Sequence, residues 1–182
     1  MSNAGKAPKA IVAVGDGVVG LDRLLAGFGI GTTIVPVPSD ACPIRAIYLA
    51  LEAHGPVDRL VLVAHGRPGA VALGTGLDAS VLLDRSGAMR GWRDHWNPGA
   101  TIQMLACSAG AGESGRKLVN LLANISGAAL AAASHPLGHT SLGGVWQLDV
   151  VVGAADAHPP LDPATQAEWV GVLSWTSGPD AG

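Results

Sequence analysis

Two apolar runs, Leu60-Val61-Leu62-Val63-Ala64 and Ile102-Gln103-Met104-Leu105-Ala106, constrain this chain most. Each is too short for an ordinary helix, and each stops at a reactive side chain among small residues: His65-Gly66 after the first, Cys107-Ser108-Ala109-Gly110 after the second. Short, near-continuous apolar runs read as strands buried on both faces, the signature of a parallel sheet. Such sheets carry their chemistry at the carboxyl ends of the strands. A His at one strand end and a Cys at a later one supply a thiol nucleophile and its base.

The rest of the chain alternates in the same way. Ala10 to Val14 and Thr32 to Val37 read as strands, joined by a short helix in which Val18, Leu21, Leu24 and Leu25 repeat at helical spacing before Gly27 and Gly29. A helix from Pro43 with Ile44, Ile47, Tyr48 and Leu51 on one face leads into the His65 strand. Ala70 to Leu77 reads as a small hairpin. Between Asp78 and Asn97, Asp78 or Ser80 caps a short helix, and Trp92 and Trp96 suggest a helix packed by its aromatic side. Glu113 to Ile125 is predicted helical, stopping at Gly127. Ala128 to Ala133 and Val145 to Val152 complete six strands, and Asp162-Pro163 opens a last helix that carries Trp169, Val172 and Leu173 inward. The expectation is a three-layer α/β sandwich: a mostly parallel six-stranded sheet with helices on both faces. Residues 10–174 form one domain, 1–9 a disordered or non-native tail and 175–182 a C-terminal tail.

Charged residues are 14% of the chain, the formal net charge is -3, and Lys and Arg are scattered, so no electrostatic footprint for nucleic acid or an anionic membrane is present. No apolar stretch approaches the roughly 18 residues of a membrane span, and no signal-peptide core follows Met1. The expected address is cytoplasmic. Two cysteines, Cys42 and Cys107, make no disulfide framework. Cys42, before Pro43, reads as a small residue at a helix entry.

Chemically, Cys107 needs a nearby His or helix N-terminus to become a thiolate at neutral pH. The small residues Ser108 to Gly112 permit a tight turn that points amides at the strand end, and the helix after them adds its positive pole. The Gly66 and Cys107 amides can together hold an oxyanion, while His65 assists thiolate formation and protonates the leaving amine.

This ordered pair of strand ends resembles the caspase-like superfamily of cysteine peptidases, which includes caspases, metacaspases, gingipains, clostripain, separase and bacterial CHAT peptidases. Ala64-His65-Gly66-Arg67-Pro68-Gly69-Ala70-Val71-Ala72-Leu73-Gly74 is similar to a Ser-His-Gly-x-Pro-Gly-x-Leu-x-Leu-Gly signature of a bacterial domain family of unknown function often found in large adhesin-like proteins. Ala111 to Gly115, Gly127 and the stretch Leu142 to Val150 continue that pattern. The resemblance implies a caspase-like fold with flavodoxin-like strand order, a His65/Cys107 dyad, Gly66 and Cys107 at the oxyanion site, a peptide or protein substrate, and neither cofactor nor metal. Ala106 and Ser108 depart from the Gly and the acidic or amide residue usual around that Cys, and Leu105 stands where caspases carry Gln. Cleavage after Asp is therefore not implied. Asp16 and Ser108 border the expected substrate site: Asp16 is able to face a basic side chain, and equally to bond its own turn. Arg67 reads as part of a solvated loop and Asp149 as a poorer specificity candidate.

Other readings stay open. Gly15-Asp16-Gly17-Val18-Val19-Gly20 spells G-x-G-x-x-G, with Asp40 twenty residues on, as in dinucleotide-binding domains. Ser108 is one substitution from a G-x-S-x-G nucleophile, with Asp149 or Asp156 and His158 following in chain order. The fold is also able to serve as a catalytically silent binding or adhesion module. His135 and His139, separated by Pro136 and Gly138, make a weak metal pair.

Overall fold

A computed structural model of the chain describes residues 8–175. The expected tails at 1–9 and 175–182 fall almost wholly outside the described residues. In chain order, β1 (Ala10–Gly15), α1 (Leu21–Leu25), β2 (Thr32–Val37), α2 (Pro43–His54) and β3 (Val57–Val63) form two successive βαβ crossover units. Three two-residue strands follow, β4 (Gly66–Arg67), β5 (Ala70–Val71) and β6 (Leu77–Asp78), which pair antiparallel as a small separate sheet. Then come α3 (Ala79–Asp84), α4 (Ser86–Arg90), β7 (Trp96–Leu105), α5 (Gly112–Ser126), β8 (Ala129–Ala132), β9 (Val150–Val152) and α6 (Pro163–Glu168).

The main sheet runs β2-β1-β3-β7-β8-β9, parallel up to β8 with β9 antiparallel at the edge. This is the expected six-stranded, mostly parallel sheet in flavodoxin-like order, which switches direction of winding at β1 and β3. Alternate residues of β1, β3 and β7 face opposite layers. Ile11, Leu60, Leu62, Ile102 and Met104 join α2, α3, α4 and α5 in one core, while Val12, Val14, Val61, Val63, Leu105 and Cys107 join Leu24, Leu137, Leu148, Trp169 and Leu173 in the other. In α5, Leu118, Val119 and Leu122 are fully buried, each worth about 1.5–3 kcal/mol over exposure. That helix ends as expected at Gly127, left-handed at φ 75°, whose amide returns to the Ala123 carbonyl.

Three expectations are corrected. Trp96 begins β7 instead of riding a helix: Trp92 lies fully buried on a 3-10 turn over Gly91–His95, meeting Trp96 edge-on, and the Trp96 indole donates to the Ser126 carbonyl. Only Val150–Val152 of the sixth run pairs in the sheet, because the amides of Val145 and Leu148 go to Pro136 and Ala157 carbonyls instead. The last helix stops at Glu168, so Trp169 and Leu173 are buried by an extended segment rather than by a helix face.

Candidate active site

His65 and Cys107 each stand two residues beyond a paired strand position, since Val63 pairs with Leu105 in parallel register. The pairing continues past the strands' nominal ends, with the Ala64 amide donating to the Leu105 carbonyl at 3.2 Å. This register brings the segments that carry His65 and Cys107 to adjacent strand ends, where the chain bends at Ala64. Gly66 permits this approach. A Cβ there would sit 2.7 Å from both the Ala106 Cβ and the Cys107 carbonyl oxygen, inside any allowed contact.

The imidazole is oriented by a main-chain group. His65 Nε2–H donates to the Gly17 carbonyl at 3.0 Å, in the loop after β1. A carbonyl only accepts, so Nε2 carries a hydrogen, and in the neutral ring the lone pair is on Nδ1. Nδ1 is buried without a hydrogen-bond partner. Among the described residues no hydrogen bond joins His65 to Cys107. The thiol instead takes the Leu137 amide at 3.0 Å and donates to the Leu137 carbonyl at 3.4 Å. Cys107 is 2% exposed. Burial pushes its thiol above the ordinary range, outweighing the Leu137 and Leu173 amides that favour the thiolate.

The two expected oxyanion amides converge on one atom. Gly66 N–H donates at 2.9 Å and Cys107 N–H at 3.0 Å to the carbonyl oxygen of Leu173. Both lengths suit hydrogen bonds to a carbonyl or to the oxyanion derived from it. The loop after Cys107 is built otherwise than expected: the Ser108, Gly110 and Ala111 amides are used by the His135, Ala133 and Ser108 carbonyls, so they do not point at the strand end. Ser108 itself is half-buried at φ 53°, the left-handed region that a non-glycine residue enters only under constraint. Gly115 lets α5 press on this loop; a Cβ there would meet the Gly110 carbonyl carbon at 2.2 Å.

Around this centre, Asp16 is exposed and accepts the Ser39 amide at 2.8 Å, a bond to the loop after β2 and not to its own turn, while also lining a hollow of about 290 Å³ with Ser39, Thr75 and Trp175. Arg67 lies with its guanidinium 4.5 Å over the Trp175 ring. Cys42 precedes Pro43 at the entry of α2, as expected. The Ser108 triad is not assembled. Asp149 bonds Ser134 and lies 3.5 Å from His135, and the Asp156 and His158 carbonyls bond Gln103, four residues or about 13 Å down β7 from Cys107. The glycine loop after β1 orients His65: Gly17 supplies the carbonyl described above, and a Cβ on Gly15 would lie 2.5 Å from the Ala72 carbonyl. His139 is taken by Ser141 and the Ala167 carbonyl, and no cluster of three metal-ligating side chains occurs among the described residues. No helix among them is long and apolar enough to cross a membrane. The bonds that Gly17, Leu137 and Leu173 make to His65, Gly66 and Cys107 were not legible in the sequence, because they use main-chain atoms of these three residues, which any residue type carries.

No curated protein matches the chain in sequence. Among solved structures, a crystal structure of a small-chain dehydrogenase aligns at 15% identity over 66% of this chain and 70% of that one, with a TM-score of 0.30, too low to carry an argument. The profile of a family described as a domain of unknown function (DUF4347) matches residues 11–173, nearly the whole described fold, and the chain belongs to that family.

Proposed function

We propose that this domain is a cysteine hydrolase of caspase-like type, acting on peptide bonds through a His65/Cys107 dyad. The observation that carries the reading is the convergence of the Gly66 and Cys107 amides on a single peptide carbonyl oxygen, at the adjacent strand ends that carry His65 and Cys107. Two preorganised N–H donors at a nucleophile are what stabilise a tetrahedral oxyanion.

In this mechanism the Cys107 thiol gives its proton to His65 Nδ1, the nitrogen left bare by the Nε2–H bond to Gly17. Sγ then forms a bond to the scissile carbonyl carbon, and the carbonyl electron pair moves onto the oxygen held by the two amides. As that pair returns, the C–N bond breaks and the imidazolium gives its proton to the departing amine, leaving a thioester. Water attacks the thioester with His65 as base; the acid leaves and the thiolate returns. The Gly17 carbonyl stabilises the imidazolium throughout, the part a carboxylate plays in other triads.

A catalytically silent binding module is the second reading, favoured by the raised thiol pKa and the absence of a His65 to Cys107 hydrogen bond. Labelling of a Leu173→Asp chain, in which the carbonyl held by the two amides is displaced, by a peptidyl acyloxymethyl ketone separates the two, because that electrophile needs both a thiolate and a vacated oxyanion hole. The dyad predicts a thioether on Cys107, absent from Cys42, and a rate at least about tenfold lower in His65→Ala. Equal labelling of both cysteines, or no effect of His65→Ala, supports the silent module instead.

A further inference from the structure

Residues 171–175 lie across the dyad like a bound peptide. Leu173 gives its carbonyl to Gly66 and Cys107 and its amide to the Leu137 carbonyl at 3.0 Å; the His139 amide donates to the Gly171 carbonyl at 2.8 Å, and the Trp175 amide to the Gly66 carbonyl at 3.0 Å. The segment thus pairs antiparallel with 137–139 on one side and parallel with Gly66 on the other, each an isolated bridge rather than part of a ladder. Extended peptides bind by this kind of strand addition. The Leu173 side chain is fully buried in the same cluster as Cys107, Leu137 and Leu148, while Val170 is 64% exposed and Ser174 is exposed. Above a nucleophile, the atom held by two amides is the scissile carbonyl oxygen, so Leu173 takes the position of the residue before the bond to be cut.

We propose that residues 171–175 are a built-in pseudo-substrate: they occupy the groove between Gly66 and Leu137, keep the thiol buried, and must leave before an extended peptide with a large apolar residue at the Leu173 position is admitted. This rests on the reading of the Gly66 and Cys107 amides as the oxyanion hole. It accounts for a thiol that is covered and pushed up in pKa at a site otherwise equipped to ionise it. It also predicts that an apolar, not a basic, residue sets the primary preference, because the slot filled by Leu173 is lined by apolar side chains whereas Asp16 lies on the hollow beside Trp175.

The test is a four-variant cycle on the full chain: wild type, Leu173→Asp, His65→Ala and the double variant, with iodoacetamide rates at each cysteine read by mass spectrometry and Cys42 as internal reference. The charge introduced at the buried slot expels the segment, so Leu173→Asp speeds Cys107 alkylation at least about tenfold in both backgrounds, in keeping with exposure of a buried thiol. A Cys107 rate unchanged by Leu173→Asp, in a chain that melts cooperatively, overturns the proposal. A Cys107 rate in the opened chain that is the same with and without His65 upholds the cover and refutes the dyad, so the two failures are distinguishable. Should Leu173→Asp not fold, hydrogen exchange of the wild type decides. A detachable cover predicts that the Gly66 and Cys107 amides exchange at least about a hundredfold faster than those of Leu62 and Met104, through local opening; exchange at the core rate means an integral strand and refutes it. On the opened chain, ketones carrying Leu at the reacting residue label Cys107 faster than those carrying Arg, and the reverse order refutes the assigned substrate class.

Discussion

Gly66→Ala probes the contact on which the whole site depends, the close approach of the β3 and β7 ends. The added Cβ would lie 2.7 Å from the Ala106 Cβ and from the Cys107 carbonyl oxygen, with the Ala106 carbonyl carbon at 3.0 Å. Carbon atoms prefer about 3.5–4.0 Å, so the strand ends must part by roughly 1 Å. None of these neighbours is the far end of a flexible side chain: two are main-chain atoms and one is the Cβ of a fully buried alanine. Overpacking of this kind costs about 1–3 kcal/mol. For a domain of this size that lowers Tm by roughly 2–12 °C. A 1 Å displacement also carries the Gly66 amide from its present 2.9 Å out of hydrogen-bond reach of the Leu173 oxygen. Thermal melting, with exchange of the residue 66 and 107 amides, reads both effects. Gly87→Ala is the control: it lies in α4 with nothing within 4 Å of its Cβ, and is expected to gain about 0.5–1 kcal/mol from helix propensity. A Gly66→Ala chain that melts within about 1 °C of wild type, with unaltered exchange, refutes the strand-end geometry.

Other consequences are more local. Asp78 caps α3 by accepting the Val81 amide at 3.0 Å, so Asp78→Ala should cost about 1 kcal/mol, measurable by denaturant unfolding. Asp149 feels burial, which raises its pKa, but the Ser134 hydroxyl and amide and then His135 outweigh it and hold the carboxyl below its ordinary value. A lowered folded-state pKa gives stability that is present above the unfolded pKa of about 3.9 and lost as pH falls through the folded value. Asp149→Asn should therefore melt below wild type at pH 7, with the gap closing in acid; a gap independent of pH would show the effect is not electrostatic.

The frame was legible because burial on both faces leaves a composition mark. β1 and the carboxyl halves of β3 (Leu60 to Val63) and β7 (Ile102 to Leu105) are apolar apart from Gln103, at positions that would alternate with exposed polar residues in a half-solvated sheet. Helix ends at Asp78, Asp162 and Gly127 could be read from residues whose side chain, or lack of one, serves an end group. Alternation misled over Val145 to Leu148, where the Trp146 and Leu148 side chains turn toward the core but the Val145 and Leu148 amides go to the Pro136 and Ala157 carbonyls. A dipeptide pattern cannot reveal such partners. Likewise, His65, Cys107 and Gly66 announced themselves by residue type and position. The groups that orient or cover them, the carbonyls of Gly17 and Leu173 and the amide of Leu137, are main-chain atoms brought in by the tertiary fold.

The most direct test of the dyad is the pH profile of Cys107 alkylation from pH 5 to 9 in the Leu173→Asp chain, with and without His65→Ala. The account predicts an inflection below about pH 7.5 with His65 present, moving toward the free-thiol value of about 8.5 on its removal. One inflection near 8.5 in both chains would contradict it, leaving Cys107 an ordinary thiol at the end of a buried strand.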